Sequence, residues 1–406
     1  MTADLSMPPS VDAEHADHII IYGTTWCSDC KRAKKFLGEQ RIHYDWVDVE
    51  NDAEGVAFIE KLNNGKRITP TIVFPDKSVL AEPTNAELAA KLGLQRRARM
   101  AYYDLIVVGG GPAGLTAALY AAREGMDVLV IEKAGLGGQA GITERLDNFP
   151  GFPDGIGGAE FADRLVLQAQ RFKCEMLKAQ DVTGLRCEME SRYVQTADGN
   201  EYGARAVLVS PGSTYRRLGV PGEDDLIGAG VHFCATCDGP FYRDRQVAVV
   251  GGGNSAGEES LFLTRFVEKV TLLVRGAEMT ASKVVIDKVS RDPKVEIRYH
   301  TDVQALHGDG KLSGITIRNS KSGESETIHP AGVFVFIGLT PNVAWLPDTV
   351  KRDKYGFIAT APTLETSMRG VFAAGDVRQG STKQAASAVG EGATAALMIR
   401  EYLKTI

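Results

Sequence analysis

The chain has 406 residues and a formal net charge of −6, and 44% of its residues are hydrophobic and 24% charged. This length predicts two or three domains, and the composition is that of an ordinary soluble protein. The negative net charge argues against nucleic acid or an anionic membrane as a partner. No stretch is apolar for long enough to span a bilayer, and the start lacks the features of a signal peptide, so we expect a cytoplasmic protein in a reducing compartment.

Residues 1–17 are expected to form a flexible tail and residues 18–94 the first folded domain. The pattern predicts strands at HIIIYG and HYDWVDV, helices at CKRAKKFLGEQ and AEGVAFIEKLNN, a hairpin at TPTIVF and SVLAE, and a closing helix at NAELAAKLGL. This order, β-α-β-α-β-β-α, is that of a thioredoxin-like domain. The short, basic segment 95–102 is interpreted as a linker.

A CxxC pair, Cys27 and Cys30, stands where the first predicted strand becomes a helix. The helix N-terminus and the basic sequence KRAKK that follows favour the thiolate of Cys27. Thr69 and Pro70 precede a predicted strand. A cis bond between them would place backbone groups beside the dithiol, where an extended thiol substrate could pair with them; a trans turn proline is the alternative.

A β-α-β pattern begins at residue 103 with YDLIVVGGGPAGLTAALYAAREGMDVLVIEK, which has Gly109, Gly111 and Gly114 in its first turn. Glycines at this spacing permit a tight turn and the close approach of a pyrophosphate. Glu132 ends the second strand, where a carboxylate accepts hydrogen bonds from ribose hydroxyls. We predict a dinucleotide site; the alternative is a glycine turn that serves packing alone.

A second CxxC pair, Cys234 and Cys237, lies in CATCDGPFY. Two such pairs could in principle form a Cys₄ zinc site. Each pair lies at a different strand–helix junction, and the predicted type of the domain around it already accounts for a CxxC pair. We therefore interpret both pairs as redox dithiols and expect no metal. Cys174 and Cys187 have no paired spacing and are expected to be buried and inert, and the seven histidines show no spacing typical of a metal site.

The segment QVAVVGGGNSAGEESLFLTRFVEKVTLLVRG repeats the β-α-β pattern, with Gly251, Gly253 and Ala256 in the turn. Arg275 stands at the end of its second strand, where an acid would contact a bare ribose. A guanidinium there suits a 2′-phosphate, so we predict NADPH rather than NADH, with a solvated surface arginine as the alternative.

The segment GVFAAGDV predicts a short buried strand that ends in Gly375 and Asp376. Alone it is an ordinary strand end. Together with two glycine loops it indicates the segment that closes the flavin site in flavoproteins with two dinucleotide units. The helix predicted at KQAASAVGEGATAAL would direct its N-terminus at the polar edge of the flavin.

Residues 102–406 resemble the bacterial low-molecular-weight thioredoxin reductases through GGGPAGLTAALYAAR, GGQ, NFPGFP, CATCDGPFYR, GGGNSAGEE, GVFAAGDV and KQA. Residues 18–94 resemble the glutaredoxins, and more closely the actinobacterial mycoredoxins, through WCSDC, NNGKRITPTIVF and VDVE. The fold implied is α/β: a thioredoxin-like (glutaredoxin) domain followed by two Rossmann-like domains. These would be an FAD-binding domain at 103–219 and 338–406, and an NADPH-binding domain with the dithiol at 220–337.

The reductase resemblance also implies site residues. FAD would be held by Gly109, Gly111, Pro112, Ala113, Gly114 and Glu132, with Gly138, Gln139, Thr143 and Asn148 beside the isoalloxazine and Gly375, Asp376, Lys383, Gln384 and Ala385 completing the pocket. The NADPH pyrophosphate would face Gly251, Gly253, Asn254, Ser255 and Ala256. Cys237 would lie next to the flavin, Cys234 would attack the partner disulfide, and Asp238 would be the acid–base.

The chain departs from the reductase pattern at two places. The family's NADPH clamp, His-Arg-Arg and a further Arg, is replaced by VRGAEMT, in which only Arg275 remains, and Lys383 stands where Arg is usual. The glutathione-reductase type is excluded, because GLGGQAGITERL after the first glycine loop contains no cysteine. The dithiol therefore belongs to the second nucleotide domain, and the resemblance implies that this domain rotates against the first.

These features predict an NADPH-dependent disulfide reductase joined to its own acceptor. Electrons would pass from NADPH through FAD and Cys234/Cys237 to Cys27/Cys30, and then to an external disulfide of thioredoxin or of a low-molecular-weight thiol such as mycothiol or glutathione. The alternatives are a peroxiredoxin as the final acceptor, or a redox sensor whose flavin and thiols switch a partner interface. A homodimer is expected from the resemblance.

Overall fold

The computed structural model describes residues 18–40, 42–143 and 145–406, so the tail expected at residues 1–17 lies outside the described residues. Within the described part, no helix combines the length and apolar character needed to cross a membrane. We refer below to residues 18–94 as the N-terminal module, to residues 103–219 with 338–406 as the first unit, and to residues 220–337 as the second unit.

The N-terminal module is a four-stranded sheet with helices on both faces. Its elements are β1 (Ile19–Gly23), α1 (Ser28–Glu39), β2 (Tyr44–Asp48), α2 (Ala53–Leu62), β3 (Thr71–Val73), β4 (Val79–Ala81) and α3 (Asn85–Lys91). The sheet order is β2-β1-β3-β4, in which β1 and β2 are parallel and the other pairs antiparallel. The predicted thioredoxin-like order of elements is confirmed.

Strand β1 lies inside the sheet because its sequence, IIIYG, offers an apolar side chain to each face and is buried throughout. Ile19 and Ile21 belong to the apolar cluster under α1 and α3, and Ile20 and Tyr22 to the cluster under α2. The strand ends at Gly23, a few residues before the first dithiol.

The remaining elements alternate strands and helices through both dinucleotide units. In the first unit they are β5 (Tyr102–Val108), α4 (Pro112–Arg123), β6 (Val128–Ile131), α5 (Gly138–Ile142), β7 (Arg145–Leu146), β8 (Ile156–Gly157), α6 (Gly158–Arg171), β9 (Glu175–Leu177), β10 (Val182–Glu188), β11 (Ser191–Thr196), β12 (Glu201–Val209) and β13 (Ser213–Tyr215). In the second unit they are α7 (Glu223–Leu226), β14 (Val231–His232), α8 (Ala235–Asp238), a 3₁₀ turn (Gly239–Tyr242), β15 (Gln246–Val250), α9 (Asn254–Leu263), β16 (Lys269–Leu273), α10 (Lys283–Arg291), β17 (Val295–Arg298), β18 (Thr301–Gly308), β19 (Leu312–Asn319), β20 (Ser325–Ile328) and β21 (Gly332–Val335). The chain then returns to the first unit with β22 (Leu339–Pro341), β23 (Val371–Ala373) and α11 (Ala385–Leu403).

Both units contain the predicted β-α-β arrangement. In the first, the sheet order is β10-β11-β12-β5-β6-β9 with β23 also on β12, and β5 is parallel to β6 and β12. In the second, β14-β21-β15-β16-β17 form a parallel sheet, beside which β18, β19 and β20 form an antiparallel one. The chain crosses between the units at the antiparallel ribbon of β13 and β22.

Helix α11 lies close against α4 in the first unit. Gly392 makes this possible, because a Cβ there would overlap the carbonyl oxygen of Ala113 at the start of α4. The C-terminal helix therefore holds the first glycine loop, residues 109–114, in place from one side.

Candidate active site

The first dithiol lies at the junction of β1 and α1. Cys27 is the N-cap of α1, and its Sγ accepts a hydrogen bond from the Cys30 N–H at 3.1 Å. Cys27 is 8% exposed and Cys30 1% exposed. Burial, with a contribution from the bond to Cys27, raises the pKa of Cys30 to about 12. Cys27 is therefore the thiol that a partner can reach, and Cys30 is a protonated thiol held behind it.

The predicted backbone partner of this dithiol is in place. The Thr69–Pro70 peptide bond is cis, and the Cys27 Sγ donates to the carbonyl oxygen of Thr69 at 3.5 Å. The backbone before β3 thus lies beside the reachable sulfur, where an extended substrate can pair with it.

Two residues around this dithiol were not predicted. A Cβ at Gly23 would come within 2.6 Å of Cys30 Sγ and 2.8 Å of Trp46, so glycine is what lets the buried thiol pack against the indole. Trp26 is 69% exposed beside Cys27, with its indole N–H bonded to Glu50 at 2.8 Å. A large aromatic side chain in the open next to a reactive thiol is typical of a protein-contact surface.

The first glycine loop is tight on one side and open on the other. Gly109 has a φ of +103°, and a Cβ there would overlap the carbonyl oxygen of Ser210. A Cβ at Gly114 would overlap the carbonyl oxygen of Gly109. In contrast, a Cβ at Gly111, the N-cap of α4, would meet nothing within 4 Å, and no side chain caps the helix. The free N–H groups at this open side suit a pyrophosphate.

Glu132 connects the loop to the end of β6. Its Oε2 accepts the Gly110 N–H at 2.5 Å and its Oε1 accepts the Ala134 N–H at 2.7 Å. Burial raises the pKa of Glu132, and the backbone N–H bonds act in the opposite direction. Each oxygen retains a lone pair, which is what ribose hydroxyls require.

The residues predicted beside the isoalloxazine contact either this loop or another predicted residue of the site. Gly138, in α5, packs against the loop, since a Cβ there would lie 3.2 Å from the Gly111 Cα. The Thr143 hydroxyl donates to the Gln139 carbonyl at 3.0 Å. Asn148 Nδ2 donates to Gln384 Oε1 at 3.1 Å, so two predicted residues that lie 236 positions apart meet directly.

The segment after β23 closes the same site. Gly375 lies against Ala113, and its N–H donates to Glu391 Oε2 at 2.7 Å. Glu391 is paired with Arg378 at 2.8 Å, a contact that the sequence did not predict. Burial raises the pKa of Asp376, although the nearby Lys383 lowers it in part.

Lys383 has a local role in this segment. Its ammonium donates to the Asp376 carbonyl at 2.6 Å and lies 4.2 Å from the Phe357 ring centroid, and burial lowers its pKa. It precedes Gln384, the N-cap of α11, and Ala385, the first residue of that helix. Lys383 thus positions the segment that carries Asp376.

The second glycine loop is built in the same way as the first. Gly251 has a φ of +148°, and a Cβ there would overlap the Phe336 carbonyl oxygen. Gly253 is the N-cap of α9, which has no side-chain cap. Ala256 is buried in α9 with its Cβ against Gly251, and Ser255 is exposed. The open helix N-terminus again suits a pyrophosphate.

Asn254 and Arg275 complete the second loop. Asn254 Oδ1 accepts the Ser282 N–H at 2.6 Å, so this side chain holds the segment before α10 over the loop. Arg275 follows β16 and is exposed. Among the described residues it has no ion-pair partner, which leaves its guanidinium available to a phosphate.

The second dithiol repeats the geometry of the first. Cys234 is the N-cap of α8, and its Sγ accepts the Cys237 N–H at 3.1 Å. The two sulfurs form a disulfide with a Cα–Cα distance of 5.3 Å. Gly239 follows directly, where a Cβ would come within 2.9 Å of Leu263, so the dithiol segment packs closely on α9 of the second unit.

Asp238 is held by a buried histidine that sequence reasoning missed. His232 Nδ1 lies 3.3 Å from Asp238 Oδ2, and His232 Nε2 lies 2.6 Å from the Tyr242 hydroxyl. His232 is 8% exposed, and burial raises the pKa of Tyr242 to about 12. The only sequence signal was a polar residue in an apolar strand two positions before Cys234. The arrangement can hold a proton beside the disulfide.

The other two cysteines differ from each other. Cys174 is buried, and burial raises its pKa to about 12, as expected for an inert thiol. The expectation of burial was wrong for Cys187, which is exposed because β10 is an edge strand. Its Sγ contacts Met368 Sδ at 3.2 Å, and partial burial of the thiol raises its pKa.

One group of possible metal ligands was not predicted from the sequence. The parallel pairing of β1 and β2 places His18 beside His43 and Asp45, and one ligand atom from each lies within 4.8 Å of the others, a group that could hold a metal ion. His18 Nδ1 is 3.2 Å from Asp45 Oδ2. Sequence spacing could not show this group, because two strands separated by a helix bring it together.

Both parts of the chain match families of known proteins. Residues 103–392 match the family model of the pyridine nucleotide-disulphide oxidoreductases, and residues 19–79 match the glutaredoxin model. A thioredoxin reductase of Streptomyces clavuligerus is 40% identical over 305 residues, which are 75% of this chain and 94% of that protein. A bifunctional thioredoxin reductase/thioredoxin of Mycobacterium leprae is 42% identical over 302 residues, which are 74% of this chain and 66% of that protein. The crystal structure of a thioredoxin reductase from Streptococcus pyogenes superposes with a TM-score of 0.71 at 38% identity, covering 75% of this chain and 99% of the other.

Proposed function

We propose that the two dithiols act in series, because the chain belongs to the thioredoxin reductases of the pyridine nucleotide-disulphide oxidoreductase family and carries a glutaredoxin domain before its reductase part. The chain is a disulfide oxidoreductase that uses FAD and NADPH. Bound FAD supplies the conversion of a hydride from NADPH into two electrons for a disulfide. Gly109, Gly111, Gly114 and Glu132 would hold it, and the open, uncapped start of α4 fits its pyrophosphate.

The order of the thiol steps follows the roles that the family resemblance implies for Cys234 and Cys237, and the greater exposure of Cys27 than of Cys30. Once reduced, Cys234 attacks Cys27 Sγ of the oxidised N-terminal module, and Cys30 leaves and takes a proton. Cys237 then attacks Cys234, which restores the reductase disulfide and releases the reduced module. Asp238, held by His232, would provide or accept the proton at the reductase dithiol.

One observation carries the proposal most directly: the N-terminal module has a complete redox dithiol. Cys27 caps α1 and is the more exposed of the two sulfurs, Cys30 is buried behind it, and the Thr69 carbonyl lies beside the Cys27 sulfur. A module that served only as a binding appendage would need none of these features. The outside acceptor would then be a disulfide that this face can bind.

The experiment that tests the proposal is NADPH oxidation with a panel of acceptors. The panel contains oxidised thioredoxin, glutathione and mycothiol mixed disulfides, and a peroxiredoxin with peroxide. We expect steady turnover with at least one disulfide and loss of that turnover when the module's cysteines are replaced. A chain that reduces its flavin but turns over with no disulfide would contradict the proposal and favour a redox sensor.

Arg275→Ala is expected to weaken NADPH binding selectively. Loss of a phosphate–guanidinium contact at an exposed site costs roughly 1–3 kcal/mol, so the KM for NADPH should rise about tenfold or more. The KM for NADH, which has no 2′-phosphate, should barely change. Steady-state kinetics with both cofactors measures the difference, and Arg318→Ala, an exposed arginine on β19, is the matched control. Equal use of NADPH and NADH by the unmodified enzyme would show that Arg275 does not bind the 2′-phosphate of NADPH.

Cys30→Ser is expected to stop transfer from the reductase to the module. The remaining Cys27 can still form a mixed disulfide, but no internal disulfide is available for Cys234 to open, so turnover should fall by about tenfold or more. Initial rates with a low-molecular-weight mixed disulfide measure this, and Cys187→Ser is the control because Cys187 belongs to neither dithiol. Full activity of Cys30→Ser would instead indicate a one-thiol mechanism.

A further inference from the structure

The segment predicted as a linker is not a free tether. Residues 95–101 lie along the first unit, and we call them the strap. The Lys178 N–H donates to the Gln95 carbonyl at 2.9 Å, and the Gly203 N–H donates to the Ala101 carbonyl at 2.8 Å. Both ends of the strap are therefore bonded to the first unit through backbone groups.

A buried carboxylate holds the middle of the strap. Glu175, on β9, has a side chain that is 4% exposed. It accepts hydrogen bonds from Gln95 Nε2 at 2.6 Å, from the Arg99 N–H at 2.7 Å and from the Tyr103 hydroxyl at 2.8 Å. The Tyr103 oxygen in turn accepts the Met100 N–H at 3.1 Å. Release of the strap would leave a buried charged group short of donors, which strongly disfavours release.

The strapped module contacts the first unit with the end that lies opposite its dithiol. Ala179 of the first unit packs against the module's apolar cluster, as does Leu94 at the end of the module. Gln40 Nε2 donates to the Lys133 carbonyl at 3.4 Å. Gln40 is the C-cap of α1, and Cys27 is its N-cap. Since these two caps enclose a helix of 12 residues, Cys27 lies about 20 Å from this contact along the helix axis.

This contact lies at the adenosine end of the predicted nucleotide site. Lys133 follows Glu132, the residue placed to bind the ribose of FAD. The Cys234–Cys237 dithiol has to be reduced at the isoalloxazine, beyond the pyrophosphate that the first glycine loop would hold. The rotation that would follow turns the second unit, whereas the strap bonds the module to the first unit. The strap thus keeps the module at the adenosine end, with Cys27 at the far end of α1 from this contact, so the module cannot follow the second unit when that unit turns away from the flavin.

We propose that the N-terminal module of one chain receives its electrons from the Cys234–Cys237 dithiol of a second copy of the chain. The inference rests on the proposed function and adds the partner of that transfer. Cys234 of one copy attacks Cys27 Sγ of the other, the Cys27–Cys30 bond breaks, and Cys30 is protonated. Attack of Cys237 on Cys234 then releases Cys27, so two electrons have crossed between copies and the donor dithiol is again a disulfide.

Two inactive variants test the direction of transfer. One chain carries Cys27→Ser with Cys30→Ser, and the other carries Cys234→Ser with Cys237→Ser. They are produced in the same cell, and the pooled protein is assayed for NADPH oxidation with the mixed disulfide that the unmodified chain reduces. If dimers form at random, half of them are mixed and each mixed dimer has one productive direction, so we expect about a quarter of the unmodified rate.

The possible outcomes separate this inference from the proposed function. A pooled sample that stays inactive, while the unmodified chain is active, overturns transfer between copies and leaves the series of dithiols intact. Unchanged activity of the Cys27→Ser, Cys30→Ser chain alone overturns the proposed function itself. Recovery of activity in the pool supports transfer between copies.

A second experiment tests the strap directly. Arg96, Arg97 and Arg99 are trypsin sites within it, and cleavage requires the strap to lift from the first unit. Glu175→Gln should speed cleavage at these sites about fivefold or more, whereas Glu188→Gln, at an exposed glutamate paired with Arg186, should not. Equal cleavage rates in both variants and in the unmodified chain would show that Glu175 does not hold the module in place, and would remove the basis for transfer between copies.

Discussion

Cys237→Ser is expected to stop electron transfer at the flavin. NADPH should still bleach the flavin absorbance, because the glycine loops and Glu132 are untouched. Cys234 would have no partner thiol with which to form a disulfide, so reduction of external disulfides should fall by about a thousandfold or more. Stopped-flow absorbance follows the flavin, and NADPH oxidation with the best acceptor of the panel follows turnover.

The control for this prediction is Cys187→Ser. Cys187 is the exposed cysteine outside both dithiols, and its replacement should leave both readings unchanged. Disulfide reduction by Cys237→Ser at the unmodified rate would mean that electrons leave the flavin without the Cys234–Cys237 pair.

Gly114→Ala is expected to yield a protein without FAD. A Cβ at this position would overlap the carbonyl oxygen of Gly109, a backbone atom that the Ser210 hydroxyl also holds at 3.1 Å. Neither partner can move without opening the loop that receives the pyrophosphate. The flavin absorbance per chain after purification should fall at least about tenfold.

Gly390→Ala is the matched control for that substitution. It places the same methyl group in helix α11, where nothing lies within 4 Å, and should keep FAD while stabilising the helix by about 0.5–1 kcal/mol. Full flavin content and unchanged thermal stability in Gly114→Ala would show that the loop does not need glycine at this position.

Local patterns were enough to predict the elements and the order of the modules. The apolar run IIIYG could only be a buried strand, and the glycine turns that follow β5 and β15 each lie between a strand and a helix, as predicted. Such features depend on residues close together in the chain. Hydrophobic period and turn chemistry report them directly.

Contacts between distant segments could not be predicted in this way. The Asn148–Gln384 bond joins residues far apart in the chain. His232 and Asp238 are only six residues apart, but they lie on a strand and a helix, so neither the period of a strand nor that of a helix predicts their contact. Cys187 was expected to be buried, but its exposure depends on β10 lying at a sheet edge. Sequence spacing carries no information on these relationships.

The strap shows a different limit of sequence reasoning. The sequence QRRARM is short, basic and without apolar periodicity, which is typical of a linker. The strap is held in place by Glu175, a residue of β9 whose buried carboxylate accepts hydrogen bonds from Gln95 and Arg99 of the strap. Composition describes the segment, but the surface under it decides whether the segment is mobile.

The most direct test of the account is the turnover of the Cys27→Ser, Cys30→Ser chain with an external disulfide that the unmodified chain reduces. The N-terminal module folds around β1 and its two apolar clusters, which contain neither Cys27 nor Cys30, so we expect both substitutions to keep the fold. If the dithiols act in series, NADPH should still reduce the flavin and the Cys234–Cys237 disulfide, while NADPH oxidation with the external disulfide falls to the rate without acceptor. Reduction of the same substrate at the normal rate would contradict the account, because the reductase dithiol would then reach its acceptor without the module.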